Sequence, residues 1–258
     1  MIRSQPKVKN ILITGASSGI GAALAEVYSG PGIVLVITGR NQSRLENVAE
    51  ICRNKGATVI SKCAEVQDRD AMSSWIEQID SDTPLDLVIA NAGISGGTGG
   101  LSGESIDQAR DIFAVNLAGV LNTIDPVIPR MKDRHKGQIA IMSSLAAFRG
   151  IPSAPAYSAS KAAVKSYGEA LRGELSDSGI QVSVICPGFI KSRITDANTF
   201  SMPMIMEAEK AARIMKRRLE KNRALIAFPW PMYFMAWLMG VLPVSWTDPI
   251  FRRMPKKS

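Results

Sequence analysis

Histidine occurs once in the 258 residues, and this scarcity removes any mechanism that needs two imidazoles. The single copy, His135, stands in MKDRHKGQ, a charged string that reads as a solvated helix end. Counting alone leaves a Ser-His-Asp arrangement around it open. Cysteine is almost as rare. Cys52, Cys63 and Cys186 are odd in number and match no metal-ligand spacing, so neither a disulfide framework nor a metal site is expected. Reduced thiols predict a cytoplasmic setting. The opening MIRSQPKVKN has no apolar run before the first strand, so no secretory leader is expected. Acidic residues are missing from one region. Residues 210–258 hold 11 Lys and Arg against only Glu220 and Asp248, a net charge of +9, whereas the whole chain carries +8. The bulk of the chain is therefore nearly neutral. A nucleic-acid reader would need a basic recognition surface there, so nucleic acid is discounted as a partner.

Repeats and low-complexity linkers are absent too, and residues 1–258 are expected to form one domain. What is present is an alternation of apolar runs and helical patterns. Strands are expected over 8–15, 33–40, 57–66, 85–93, 137–144, 180–188 and 223–228. Helices are expected over 19–29, 41–56, 70–79, 105–132, 154–179 and 208–222. Strands that are continuously apolar, separated by helices, imply a parallel sheet covered on both faces. Right-handed crossovers then give an α/β, doubly wound parallel sheet of about seven strands.

TGASSGIG (14–21) lies between the first strand and the first helix, with Gly15, Gly19 and Gly21 spaced G-x-x-x-G-x-G. Glycines allow a tight turn, close approach of the backbone to a pyrophosphate, and close helix packing. The helix N-terminus adds free N–H groups and partial positive charge. Thr14, Ser17 and Ser18 add hydroxyls. Strand two ends in Thr38-Gly39-Arg40 with no carboxylate, where an acid would hold the ribose hydroxyl of NAD. Arg40 suits the extra phosphate of NADP. Further on, SSLAAFRGIPSAPAYSASK (143–161) places Tyr157 and Lys161 four apart, on one helix face. A cationic Lys161 and an oxidised nicotinamide together would favour tyrosinate, and so bring the phenol pKa down toward the working pH.

These motifs in order, with ANAG at 90–93, resemble the short-chain dehydrogenase/reductase family from about Lys9 to Ser192. The resemblance implies a Rossmann-like fold and the interconversion of a carbonyl and an alcohol by hydride transfer with NADP(H). It implies Tyr157 as general acid/base, with Lys161 lowering its pKa and binding the nicotinamide ribose. It implies Ser144, at the family's spacing before the tyrosine, as the donor to the substrate oxygen, with Ser143 as its rival. Asn116 in VNLAG would hold a water linking Lys161 to solvent. The cofactor contacts it implies are Gly15, Ser17, Ser18, Gly19, Ile20, Gly21, Arg40, Glu65, Val66, Asn91, Ala92, Gly93, Tyr157, Lys161, Pro187, Gly188, Ile190 and Ser192. Three positions depart from the family pattern: Ala90 for Asn, Glu65 for Asp, and Ser192 for Thr. Residues 8–192 are thus expected to bind cofactor and carry catalysis, and a homodimer or homotetramer is implied. Two other readings stand beside this one: a cofactor-binding regulatory or membrane-interaction protein on an inactive fold of the family, and a dehydratase or epimerase.

Residues 193–258 form a substrate-side and C-terminal extension. The stretch 224–242 has 19 residues without charge. Pro229 and Pro231 interrupt it early, and the rest, up to Pro243, is too short to cross a bilayer. Trp230, Trp237 and Trp246, three of the four tryptophans, lie here with basic clusters on both sides. A membrane interface carrying anionic lipid, a pocket wall and a subunit contact are the three readings. The Met-rich 200–206 suggests a lipophilic substrate. Residues 94–103 are glycine-rich and expected to move near the site, and 148–156 to edge the pocket.

Overall fold

Continuous apolar runs set the sheet. Ile11, Leu12 and Ile13 of β1 (Asn10–Thr14) and Leu35, Val36 and Ile37 of β2 (Val34–Gly39) are fully buried. A strand covered on both faces has no solvent side, so its sequence does not alternate. The computed structural model describes residues 8–96, 104–152, 154–196 and 202–252. The remaining strands are β3 (Thr58–Cys63), β4 (Leu87–Ala90), β5 (Gly137–Met142), β6 (Ile180–Pro187) and β7 (Leu225–Phe228). All pair in parallel, in the order β3-β2-β1-β4-β5-β6-β7. The order reverses between β1 and β4, and the crevice at their carboxyl ends is where a doubly wound sheet receives a ligand.

The helices are α1 (Gly19–Tyr28), α2 (Gln42–Asn54), α3 (Arg69–Asp82), α4 (Ile106–Phe113), α5 (Gly119–Ile124), α6 (Ile128–Asp133), α7 (Pro155–Leu175), α8 (Arg193–Asp196), α9 (Ala208–Leu219), α10 (Trp230–Val241) and α11 (Val244–Arg252). Alternate strand residues feed two cores. Ile11, Ile13, Leu35 and Ile37 pack with Leu24 of α1, Leu45 of α2 and Met215 of α9. Leu12, Val36 and Val88 pack with Met72 and Ile76 of α3, Ile124 of α5, and Val164 and Leu171 of α7. Each such side chain contributes roughly 1.5–3 kcal/mol on burial.

The expected single helix over 105–132 is instead several pieces. A π turn, Ala114–Ala118, separates α4 from α5. Pro126, which lacks an N–H, sits in the turn before α6, while Pro129 lies in the first turn of α6, where no donor is needed. Strand β3 stops at Cys63 rather than 66, and Asp68 then caps α3 by accepting from Ala71 N at 3.1 Å. Helix α7 ends at Leu175 rather than 179. A short 3-10 turn follows, and Gly179 at φ 73 closes it in the left-handed region. A short helix, α8, follows β6 where the sequence shows no helical pattern. The uncharged stretch 224–242 is divided between edge strand β7 and α10, joined through a cis Phe228–Pro229 bond. His135 is exposed after α6, at the sheet edge opposite the glycine turn.

Candidate active site

The glycine turn is built by close backbone contact. Gly15 and Gly19 have φ of 69° and 56°, a region costly for other residues. A Cβ on Gly21 would fall 2.3 Å from Gly15 O, and one on Gly15 would fall 2.8 Å from Ala92 Cα. The Thr14 hydroxyl accepts from Asn91 N at 3.1 Å and Ala92 N at 3.2 Å, and Asn91 Nδ2 donates to Thr14 O at 2.9 Å. The side chain of Asn91, expected among the cofactor contacts, is therefore spent on locking β1 to β4. Ser18 caps α1 without a side-chain bond of its own, and no acid occupies the first turn. The N–H groups of that turn and the Ser17 and Ser18 hydroxyls fit a dinucleotide pyrophosphate. A Cβ on Gly39 would meet Ser17 at 2.9 Å, so the end of β2 abuts this turn. Arg40 follows directly, exposed and without a hydrogen bond or ion pair among the described residues. Ser192 closes the other side, since a Cβ on Gly19 would lie 3.0 Å from Ser192 Cβ. Pro187 ends β6, Gly188 N donates to Phe228 O at 2.8 Å, and Ile190 is buried. Ile20 lies in α1. Glu65 is exposed beyond β3, and Val66 packs against Gly119.

Strands β4 and β5, the π turn and α7 bring the proposed catalytic set together. Tyr157 and Lys161 share a face of α7, with Lys161 Nζ 5.9 Å from the phenol ring centre. Lys161 is buried and donates to Met142 O, at the end of β5, at 3.0 Å. Ser144 lies close enough to the Tyr157 phenol to favour its ionised form, and its Oγ accepts from Ala146 N at 3.1 Å. Ser143 points elsewhere and donates to Lys161 O at 2.7 Å from a buried position. The geometry thus separates the two serines: Ser144 meets the phenol and Ser143 holds β5 to α7. A Cβ on Gly93 would come within 3.2 Å of both Lys161 Nζ and Asn116 Oδ1. That leaves the backbone after β4 no room for a side chain.

Asn116 lies in the π turn, a feature that often marks functional sites. Its Oδ1 accepts from Ile94 N at 2.8 Å, and its Nδ2 donates to Ile94 O at 2.9 Å and Ser160 Oγ at 3.1 Å. Ser160 Oγ donates on to Tyr157 O at 2.7 Å. The side chain therefore ties the segment after β4 to the helix of Tyr157. Both amide hydrogens are committed to protein partners, so the side chain cannot also donate to the water expected of it.

Burial moves both titrating groups. It pushes the Tyr157 phenol up, against the lowering effect of the neighbouring Ser144, with a smaller upward push from Cys186. It pushes the Lys161 amine down to about 8, partly countered by Cys186. The expected fall of the phenol pKa is thus reversed in the protein alone, because desolvation outweighs the neighbouring groups. A phenol kept protonated suits proton donation. Withdrawing a proton instead calls for added positive charge beside it.

Two residues near the site escaped the sequence reading. Glu104 Oε2 accepts from Ala156 N at 2.6 Å and its Oε1 from Tyr157 N at 3.1 Å, a two-pronged carboxylate cap on α7. Nothing local in the sequence signals a contact across 52 residues. Cys186, buried in β6, is pushed up to about 11 by desolvation, partly offset by a Ser143 hydrogen bond. It behaves as a packed, protonated thiol. The expected pocket edge, 148–156, does line a cavity of about 400 Å³, but with Ser158, Ala159, Ala162, Asp248 and Phe251. Those α7 residues occupy the face away from Tyr157 and Lys161, so this cavity is not the reaction site. Of the glycine-rich 94–103 and the Met-rich 200–206, residues 97–103, 200 and 201 lie outside the described residues. Among the described residues no group of His, Cys, Asp and Glu could hold a metal.

Comparison with known proteins agrees with this architecture. The family model described as short chain dehydrogenase matches residues 9–201. An uncharacterized oxidoreductase of Myxococcus xanthus is 36% identical over 247 residues, covering 95% of this chain and 97% of its own. A short-chain dehydrogenase from Sphingobium yanoikuyae, solved in complex with NADPH, superimposes with a TM-score of 0.78 at 23% identity, covering 96% of this chain and 97% of that one. A short-chain dehydrogenase from Mycobacterium paratuberculosis, solved bound to NAD, gives 0.74 at 21% identity, covering 88% and 98%. At these identities the two solved structures speak for the fold alone.

Proposed function

The chain belongs to the short-chain dehydrogenase/reductase family of oxidoreductases, and from that premise we propose that it is an NADP(H)-dependent enzyme interconverting a lipophilic ketone or aldehyde and its alcohol. The observation that carries this reading is Tyr157 and the buried Lys161 on one face of α7, the amine 5.9 Å from the phenol ring, with Ser144 beside the phenol. When bound, the nicotinamide supplies or accepts the hydride. Gly15, Ser17, Ser18, Gly19 and the first turn of α1 hold its pyrophosphate, with Ser192 facing Gly19. Lys161 and Gly93 border the ribose side, and Arg40 takes the 2′-phosphate.

In the reducing direction Ser144 Oγ donates to the substrate oxygen and orients it. Tyr157 Oη passes its proton to that oxygen, and the ammonium of Lys161 stabilises the phenolate left behind. Burial of the phenol keeps that proton in place until the oxygen becomes basic. The carbonyl-reductase reading is favoured over a retired cofactor-binding fold because Asn116, Ser144, Tyr157 and Lys161 are all present and connected. It is favoured over dehydration because the carboxylate next to Tyr157, that of Glu104, is engaged by the Ala156 and Tyr157 backbone N–H groups as a helix cap. The reading includes a cytoplasmic enzyme, supported by three free thiols, assembling as a homodimer or homotetramer.

NADPH oxidation against a panel of carbonyls, ordered by chain length and ring size, tests the activity. Turnover should rise with apolar size, and no oxidation with any carbonyl would refute the reading. The cofactor choice has its own test. Arg40→Asp should lower the NADPH/NADH ratio of kcat/KM by about 10–100-fold, the loss of one charge-assisted phosphate contact. An unchanged ratio removes Arg40 from the phosphate site.

A further inference from the structure

Helix α10 is apolar on every side, a pattern normally found in a helix buried all round, yet none of its residues is buried. Its inner side is covered. Met232, Tyr233 and Ala236 pack on the cluster of Leu145, Val184, Cys186 and Ala227, and a Cβ on Gly240 would lie 2.4 Å from Phe148 O. Its outer side is a stripe at helical spacing, Trp230, Phe234, Trp237 and Val241, with 69%, 43%, 43% and 59% of each residue exposed. The three rings form a continuous row, with centroids 5.7 and 6.1 Å apart. Helix α11 extends the stripe with Val244, Trp246 and Ile250, all exposed, while its Thr247 and Phe251 face inward. Arg149 fixes α11 through Asp248 at 2.8 Å and over the Phe251 ring. This apolar surface is held in place by the fold.

Charge decides what covers it. Between Trp230 and the C-terminus the only acid is Asp248, and Arg149 already neutralises it. The sequence from Phe251 onward adds Arg252, Arg253, Lys256 and Lys257 and no acid. A second copy carries the same excess of positive charge in this stretch of sequence, so like charge works against self-pairing. An anionic lipid surface matches that charge instead. Indole rings also suit its boundary, with an apolar body and a polar N–H.

The geometry points to α10 and α11 as a docking face for an anionic lipid bilayer, with the rings of Trp230, Phe234, Trp237 and Trp246 set into its interface. The inner side of α10 covers Leu145, next to Ser144. On the oxidoreductase reading, the docked enzyme therefore presents its active site to lipid-dissolved carbonyls.

Brominated-lipid quenching and vesicle sedimentation test the docking without any turnover. With vesicles of phosphatidylcholine and about one-third phosphatidylserine, the full chain should pellet, and its surface tryptophan emission should be quenched while that of buried Trp75 persists. Trp230→Ser/Trp237→Ser/Trp246→Ser should abolish pelleting. Arg253→Gln/Lys256→Gln/Lys257→Gln, which keeps every tryptophan, should weaken partitioning on the order of 100-fold, at roughly fivefold for each cation. Several results overturn the proposal: no quenching by either vesicle, equal binding to phosphatidylcholine alone, or a dimer in solution that the tryptophan variant dissolves. The last would assign the face to a second copy. Carbonyl reduction with a water-soluble substrate is read separately, so a failed docking and a failed activity remain distinct.

Discussion

Helix α7 is fixed by polar contacts along its length: Glu104 at its first turn, Asn116 through Ser160 in its middle, and Arg172 near its end, bonded to Val182 O and Asn222. Helix α10, on the other side of Ser144, makes no side-chain hydrogen bond among the described residues and rests on Leu145 and its neighbours through Met232, Tyr233 and Ala236. Hydrogen bonds are directional and fix atoms in place, as proton transfer requires. Apolar contact is non-directional and yields to the shape set against it. On the proposed function, the contrast separates a helix that would carry the chemistry from one that would adapt to a ligand.

Removing the phenol oxygen is the strongest test of that division. Tyr157→Phe should lower kcat by about 10²–10⁴-fold, the usual worth of a general acid, with cofactor affinity retained in a fluorescence titration. Turnover at the wild-type level would end the proton-transfer role.

Next comes the buried amine. A lysine whose folded pKa of about 8 lies below its unfolded value costs stability wherever the folded form is charged. That cost is complete below pH 8 and disappears as pH rises toward about 10.4. Lys161→Met removes it, so the variant's stability relative to wild type should be greatest below pH 8. The advantage should shrink by on the order of 3 kcal/mol by pH 10.5, read from urea midpoints. A difference independent of pH would show that burial does not shift the amine's pKa.

On the other helix, Gly240→Ala forces a Cβ against Phe148 O. Overpacking of this kind costs about 1–3 kcal/mol. The shift of α10 should raise KM for the largest carbonyls several-fold and leave kcat for the smallest unchanged. The smallest effect expected is from Glu104→Ala, about 1 kcal/mol for a lost helix cap, with Glu104→Gln recovering part of it in thermal denaturation. If Gly240→Ala and Glu104→Ala gave the same kinetic signature, the division between the helices would fail.

The strands and the glycine turn were legible because their causes are local. An apolar run such as Ile11–Ile13 announces double burial, and Gly15 and Gly21 announce a place with no room for Cβ. The helix over 105–132 was misjudged because a π turn adds a residue without changing composition, so its apolar residues still suggest a single helix. The upward push of burial on the Tyr157 phenol was not legible, because sequence reveals the neighbouring amine but not how deeply the phenol is desolvated. Choosing Ser144 over Ser143 rested on spacing; in the fold both follow the end of β5 at Met142, with Ser143 tied to Lys161 O and Ser144 opening the next turn. Glu104 was invisible for another reason, as its partners lie 52 and 53 residues away.

The two anchors of the segment after β4 have a consequence for how such an enzyme changes over generations. Ile94 is held to the Tyr157 helix through Asn116 and Ser160, and Glu104 grips the same helix directly. Whatever lies between these clasps can be lengthened, shortened or exchanged while both feet stay on one rigid support.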